Sequence, residues 1–415
     1  MRKSISVVAL VSLFAAGSAM ASGYRIPEQS LDSTAKSGAN IASASSADTT
    51  YFNPAGMAFM EDAWHFEGTA TYLHLTAVEY DDDGPAMFDG KSDKENFFLP
   101  TFFIVSPDYN NFRFGFSSTP SYGLSKRWTD DMYPRAFAEK AALKVFEFNP
   151  TVSYKFSDMF SVAGGVRAIY AKSTFMTNPV ELSTTTHSPD PRGYASMKLT
   201  GDTTEWGYNL AMDLKPNDSW NFALTYRSNI DLDFDDGDVT LYPMANPAAA
   251  INMDGSTGLP APAVLAFSTA YTYQDWTFDL TLDRTFWSKY DDLTLEFQNP
   301  ALNTTIDKDW DDSTCIRLGV EYRLDPKVTL MGGIAYDETP VPGDTIGFEL
   351  PDSDAWLFSG GVRYKHSEQL EYGVAVLYDY KESRDENNLA DGGHVNGEFT
   401  NASAFLLSFG MSYKF

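Results

Sequence analysis

The last eleven residues alternate with a period of two. Phe405, Leu407, Phe409, Met411, Tyr413 and Phe415 share one face, and Leu406, Ser408, Gly410, Ser412 and Lys414 share the other. Such a chain forms a sheet whose two sides meet different surroundings. The pattern recurs at Phe112/Phe114/Phe116, Phe146/Phe148/Val152/Tyr154/Phe156, Trp220/Phe222/Leu224/Tyr226, Ile316/Leu318/Val320/Tyr322 and Leu370/Tyr372/Val374/Val376/Tyr378/Tyr380. In all, about fourteen segments read as strands, at roughly 64–78, 96–106, 111–121, 144–157, 160–173, 194–214, 219–235, 260–273, 276–290, 311–324, 327–338, 354–366, 369–381 and 401–415.

Their connections sort by length. Short polar turns such as 106–110, 157–159, 215–218, 325–326 and 366–368 alternate with long connections. A soluble sandwich has no reason to sort its loops this way, whereas an outer-membrane barrel puts short periplasmic turns on one rim and long external loops on the other. The expected fold is therefore an all-β transmembrane barrel of about 14 antiparallel strands, with both termini on the periplasmic side. Trp64, Trp220 and Trp276 open upward strands, and Trp287, Trp310 and Trp356 sit where strands meet long loops, as two aromatic girdles would require. No stretch is apolar enough for a spanning helix. Residues 1–21, with Arg2-Lys3, the apolar run Ile5 to Ala16 and Ala19-Met20-Ala21, read as a cleaved export signal.

Composition removes whole classes of function. A formal charge of −27 opposes nucleic-acid binding. One cysteine, Cys315, permits no internal disulfide, and the five histidines form no cluster with metal-ligand spacing, so neither a metal nor a cofactor is expected. His65, His74, His187, His366 and His394 are scattered, no G-x-S-x-G motif accompanies them, and an enzyme is not expected. The acidic runs Asp81-Asp82-Asp83-Gly84 and Asp231 to Asp238 read as solvated external loops. The second fails as a calcium loop, having Asp236 where glycine is needed and Tyr242 where a glutamate closes the site.

Residues 22–60 lack the alternation and are rich in small side chains, as a luminal plug preceding a barrel at 61–415 would be. Within Met132 to Lys144, the run Ala136 to Leu143 reads as a short amphipathic helix. Part of the lumen is expected to be dry, since Leu73, Leu75, Phe97, Leu99 and Phe103 face inward. Packing against the plug and a path for an apolar solute explain this about equally well. Gly115 and Pro120 weaken the third strand and mark a place where the wall can open sideways.

Several motifs resemble one family in the same order along the mature chain. They are Gly23 to Ser30, Tyr51-Phe52-Asn53-Pro54-Ala55-Gly56-Met57, Tyr226-Arg227-Ser228, Leu259-Pro260, Trp287-Ser288, Arg317-Leu318-Gly319, Tyr336 to Pro342 and Pro351-Asp352-Ser353-Asp354. Together they are similar to the FadL/TodX-type outer-membrane transporters of long-chain fatty acids and aromatic hydrocarbons. The resemblance implies a fourteen-stranded barrel with an N-terminal hatch, whose motif here is Asn53, Pro54, Ala55 and Gly56. It implies passive uptake from a loop-side groove to a deeper apolar site and out through a lateral opening near Gly115 and Pro120. Long-chain fatty acid is the expected ligand, with a monoaromatic hydrocarbon such as toluene as the alternative and a general polar porin as a more distant one. Arg167, Lys172 and Arg317 are the candidates for binding a carboxylate. Lipopolysaccharide and outer-membrane lipid are expected neighbours in a Gram-negative outer membrane, and Phe415 resembles the signal read by the barrel-assembly machinery.

Overall fold

The computed structural model describes residues 23–179, 194–243, 245–246 and 248–415; the expected signal peptide and His187 lie outside the described residues. Fourteen antiparallel strands close into a barrel. They are β1 (His65–Leu75), β2 (Glu95–Val105), β3 (Phe112–Arg127), β4 (Lys140–Lys155), β5 (Phe160–Thr177), β6 (Tyr194–Asn217), β7 (Trp220–Arg227 with Ile230–Pro243), β8 (Ile251–Ala261 with Val264–Tyr273), β9 (Trp276–Thr285), β10 (Ser313–Arg323), β11 (Val328–Asp337), β12 (Ala355–Lys365), β13 (Leu370–Lys381) and β14 (Ser403–Lys414). The alternation seen at the C-terminus is what lets the sheet close: β14 pairs with β1 from Leu75↔Ala404 to His65↔Lys414, so neither edge stays open.

β10 to β14 are 10 to 12 residues long, about what a tilted strand needs to cross an apolar band. β3, β4, β5 and β6 have 16, 16, 18 and 24 residues and rise past the membrane on the long-loop side. The alternation of Ile230, Leu232 and Phe234, all buried, continues β7 through the acidic run. Asp231, Asp233 and Asp235 are thus on the outer face of a strand, which corrects the expectation of a loop. The helix expected at Ala136 to Leu143, between β3 and β4, also lies earlier, at Met132–Ala138, because Ala141 and Leu143 turn inward as the start of β4.

Trp220, Trp276 and Trp356 are exposed on the outer wall, where lipid would meet them, and Trp64 stacks on Phe66. Trp287 and Trp310 are not girdle residues. The chain after β9 folds over the lumen and buries them against Tyr24, with ring centres 4.6 and 5.8 Å away. Trp206, 66% exposed, occupies the outer wall instead.

Residues 23–58 are almost entirely buried inside the barrel. They carry two short helices, α1 (Leu31–Ala35) and α2 (Thr49–Phe52), and a 3-10 turn at Pro54–Phe59. The Ser30 hydroxyl caps α1 by accepting from the Ser33 amide, the local reason the helix starts there. Glycines in the wall admit this segment. A Cβ on Gly333 would lie 2.3 Å from the Lys36 carbonyl carbon, and one on Gly361 2.6 Å from Ala35 Cβ. Outside the barrel, Glu79–Asp82, Gly90–Lys91, Arg384–Asn387 and Asn396–Thr400 form a small sheet from the first and last external loops.

Candidate functional site

The luminal segment is held by buried ion pairs to the wall. Arg363 of β12 reaches Glu67 of β1 at 2.8 Å and Asp32 of α1 at 2.5 Å. Lys36 lies 2.5 Å from Glu321 of β10 and 3.6 Å from Asp279 of β9. Asp283 receives Arg25 at 2.8 Å and Arg317 at 2.9 Å, and Arg317 also donates to the Ser37 carbonyl at 2.9 Å. Arg167 bonds Glu147 at 2.9 Å and the Ser228 carbonyl at 2.7 Å, and Arg227 pairs with the same Glu147. Burying such charges is costly unless every one is matched, so this end of the lumen specifies one seating of the segment. The Asn53 amide donates to Asp213, and the Ala55 carbonyl, following Pro54, accepts from Ser161 at 2.8 Å. A Cβ on Gly56 would crowd Thr49 and Asn53 at 3.1 and 3.2 Å.

Toward the loops the lumen has an apolar chamber, beyond which the next inward positions of β11 and β13 are the buried Asp337 and Asp379. Leu73, Leu75, Phe97 and Leu99 pack with Ile26 of the luminal segment and with Ala335, Leu357, Leu377 and Leu406 of the adjoining strands β11 to β14. Phe103 is elsewhere, against Ala47 and Met57. Beside this chamber the wall loses its ladder. β2 pairs with β3 only at Phe102–Val105 with Gly115–Ser118. Above that, the freed edge of β3 bonds the luminal segment: the Ile26 amide donates to the Ser121 carbonyl at 3.0 Å, Gly123 donates to Tyr24 at 2.8 Å, and the Gln29 side chain donates to the Pro120 carbonyl at 2.8 Å. Pro120 cannot donate to a ladder, and the β3–β4 register shifts between Thr119 and Tyr122 at this point. Gly115 sits below the gap, where a Cβ would meet Met57 Sδ at 2.5 Å; its smallness serves packing of the luminal segment.

The shift also inverts the strand. Phe112, Phe114 and Phe116 put even positions on the outer face, yet beyond the shift Tyr122, Leu124 and Lys126 pair with the inward Val145, Leu143 and Ala141. Lys126 is thereby buried in the lumen and, among the described residues, takes part in no salt bridge. Its neighbour Ser125 donates to Glu95 of β2 at 2.6 Å, closing the upper end of the gap.

On the loop side a groove of about 710 Å³ is lined by Phe137, Phe175, Leu293, Leu295, Ile346 and Phe348, with Lys308 paired to Glu349 within it. Phe348 anchors its floor, with Tyr80 at 5.0 Å and Trp128 at 5.7 Å between ring centres. Trp128 Nε1 donates to the Phe348 carbonyl at 2.8 Å. Among the described residues no group of His, Cys, Asp or Glu could hold a metal ion.

A groove, an apolar chamber and a gap in the wall of a closed barrel form the architecture of a transport protein, and a model of such a family matches residues 12–415. The chain belongs to the outer membrane protein transport protein family (OMPP1/FadL/TodX). It is 26% identical over 316 residues to the long-chain fatty acid transport protein of Escherichia coli O6:H1, covering 68% of this chain and 69% of that protein. It is 24% identical to outer membrane protein P1 of Haemophilus influenzae over 90% of this chain and 89% of that one. Among solved structures, a Pseudomonas aeruginosa FadL homologue superposes with a TM-score of 0.81 at 20% identity, covering 94% of this chain and 99% of the other. The Pseudomonas putida toluene transporter TodX gives 0.70 at 15% identity, covering 94% and 98%. At these identities the structures show the fold. The protein is an outer-membrane barrel of the FadL/TodX type and not an enzyme.

In this FadL/TodX-type barrel the three basic candidates do not converge. Arg167 and Arg317 are each committed to luminal carboxylates. Lys172 is exposed on the outer wall, because Arg167, Ile169 and Ala171 take the inward positions of β5. Lys126, Ile26 and Phe348 were missed. Lys126 was hidden because plain alternation places it on the lipid side. Phe415 follows directly on the closing strand and stacks on Phe66 with ring centres 5.5 Å apart.

Proposed function

We propose that this protein takes up hydrophobic compounds passively, with long-chain fatty acids as its ligands. The route runs from the loop-side groove through the chamber around Ile26, Leu73 and Leu99, and leaves through the β2–β3 gap once the luminal segment, acting as a hatch, releases the edge of β3. Each methylene moved from water into such a chamber gains about 0.8 kcal/mol, enough to draw in an acyl chain without another energy source. The observation that carries the fatty-acid reading is Lys126, a buried inward ammonium with no salt bridge among the described residues, beside the gap. It would hold a carboxylate while the tail fills the apolar space.

A monoaromatic hydrocarbon is the second reading, favoured by the neutralisation of Arg167 by Glu147 and of Arg317 by Asp283. Toluene is also what the TodX relative transports by its description. Radiolabelled oleate and toluene uptake by a transporter-deficient outer membrane carrying the wild type or Lys126→Gln separates the two. A hydrogen bond to a charged group contributes about 1.5–3 kcal/mol, so oleate uptake should fall at least roughly tenfold while toluene uptake stays unchanged. Toluene uptake without oleate uptake in the wild type would assign the protein to hydrocarbon import. The gap has its own test. A disulfide between Arg25→Cys and Tyr122→Cys, which face each other as bridge partners, should stop uptake until a reductant is added.

A further inference from the structure

The outer wall of β4, β5 and β6 changes character over one rung. Phe146 lies directly across from Tyr170, and Ala168 across from Trp206, all facing outward, so Phe146, Tyr170 and Trp206 form a local aromatic belt. Such belts mark the level where hydrocarbon meets headgroups. The next outward rung above the belt pairs Lys144 with Lys172. Four residues further along, about 13 Å at ~3.3 Å per residue, Lys140 and Lys198 flank Met176 on the same outer face. Lys172 and Lys198 are exposed, and Lys140 and Lys144 are partly exposed.

Among the described residues, none of these four lysines takes part in a salt bridge. Asp202 stands across from Lys172 but accepts from the Tyr170 hydroxyl at 3.4 Å. On β7 the exposed Asp238 stands across from Thr200, one outward position from Lys198, and on β3 the exposed Arg127 stands across from Lys140 and reaches Asp93 at 3.7 Å, so the four lysines lie between these flanks in a chain whose net charge is −27. Four like charges raise one another's energy unless anions sit among them, and among the described residues the wall supplies only Asp202 and Asp238 beside them, neither in a salt bridge with any of the four. Stem methylenes lying along the wall with ammonium groups at headgroup level suit a lipid-borne phosphate.

From this placement we infer a binding site for the phosphorylated headgroup of the outer-leaflet glycolipid on the outer wall of β4, β5 and β6. Lys144 and Lys172 hold the phosphate nearest the acyl chains, and Lys140 and Lys198 meet the anionic groups of the core sugars above it. The acyl chains lie below, along Phe148, Val166, Tyr208 and Leu210, which are exposed on the same wall. The site is on the opposite side of the wall from the lumen and is independent of what the barrel transports.

The test compares the intact barrel with a variant carrying Lys140→Gln, Lys144→Gln, Lys172→Gln and Lys198→Gln, both purified from outer membranes in mild detergent. Heat-dependent gel mobility verifies assembly. Lipopolysaccharide that stays with the wild type should fall at least roughly fivefold in the variant, and bis-phosphorylated lipid A should bind the wild type far better than dephosphorylated lipid A. Hydrophobic-compound uptake should be unchanged, which separates failure here from failure of the proposed transport route. Equal retention by the assembled variant would overturn the site. So would equal binding of dephosphorylated lipid A, or displacement of lipid A by millimolar inorganic phosphate, which would indicate a general anion patch. If the fourfold variant does not assemble, Lys144→Gln with Lys172→Gln carries the same test, with a loss of roughly threefold expected.

Discussion

The two ends of the lumen are built from opposite chemistry. Around α1 and the 3-10 turn, the segment is tied to the wall by Arg363, Lys36, Arg317 and Asn53, each bonded to carboxylates. Around Ile26 and under the loops, the walls are Leu73, Leu99, Leu357, Phe348 and their neighbours. The polar end discriminates between seatings, since a displaced segment would leave buried charges unmatched. The apolar end tolerates exchange, since one apolar surface can replace another at small cost. One segment is thus anchored firmly at one end and in contact with a replaceable surface at the other.

The comparison can be broken most severely by deleting residues 22–60. If they fill the lumen in the membrane as they do here, single-channel conductance in planar bilayers should rise many-fold, and an unchanged conductance would show that something else blocks the pore. A smaller effect is expected from Arg317→Ala, which leaves Asp283 with only Arg25 and strips the Ser37 carbonyl of its donor. Removing one partner of a buried pair costs about 3–5 kcal/mol, read as a lower unfolding midpoint of the detergent-solubilised barrel. Leu357→Ala at the apolar end should cost about 2–5 kcal/mol by the same measurement without opening a conductance, which would sharpen the contrast between anchoring and filling.

The smallest effect concerns pH. Burial pushes the Glu349 carboxyl up, but the Lys308 ammonium more than offsets this and holds it below the ordinary carboxylate value. A depressed carboxylate adds stability that is present above its unfolded value near 4.3 and lost as pH falls through the folded one. Acidification below about pH 4 should therefore loosen the loop carrying Phe348, seen as faster proteolysis there, and Glu349→Gln should abolish that dependence.

The fourteen strands were legible because alternation is written in consecutive residues, and the loop lengths sorted their connections into a short rim and a long one. The inward packing of Leu73, Leu75, Phe97 and Leu99 follows from alternation, whereas their partner Ile26 lies in a segment without periodicity. The ion pairs join residues from 20 positions apart, Glu147 with Arg167, to 331 apart, Asp32 with Arg363, and no local pattern encodes them.

By itself, the order of residues determined that this chain forms a closed sheet with an apolar outer face, because a period of two sends neighbours to opposite sides whatever else happens. Only the tertiary structure decided which cations face the lumen and which face the outer wall. A single register shift at Pro120 and Ser121 turns Lys126 into the lumen, while Lys172, on an uninterrupted strand, stays outside. Slipping one residue reverses every side chain beyond it, and where a strand slips depends on the partners it meets.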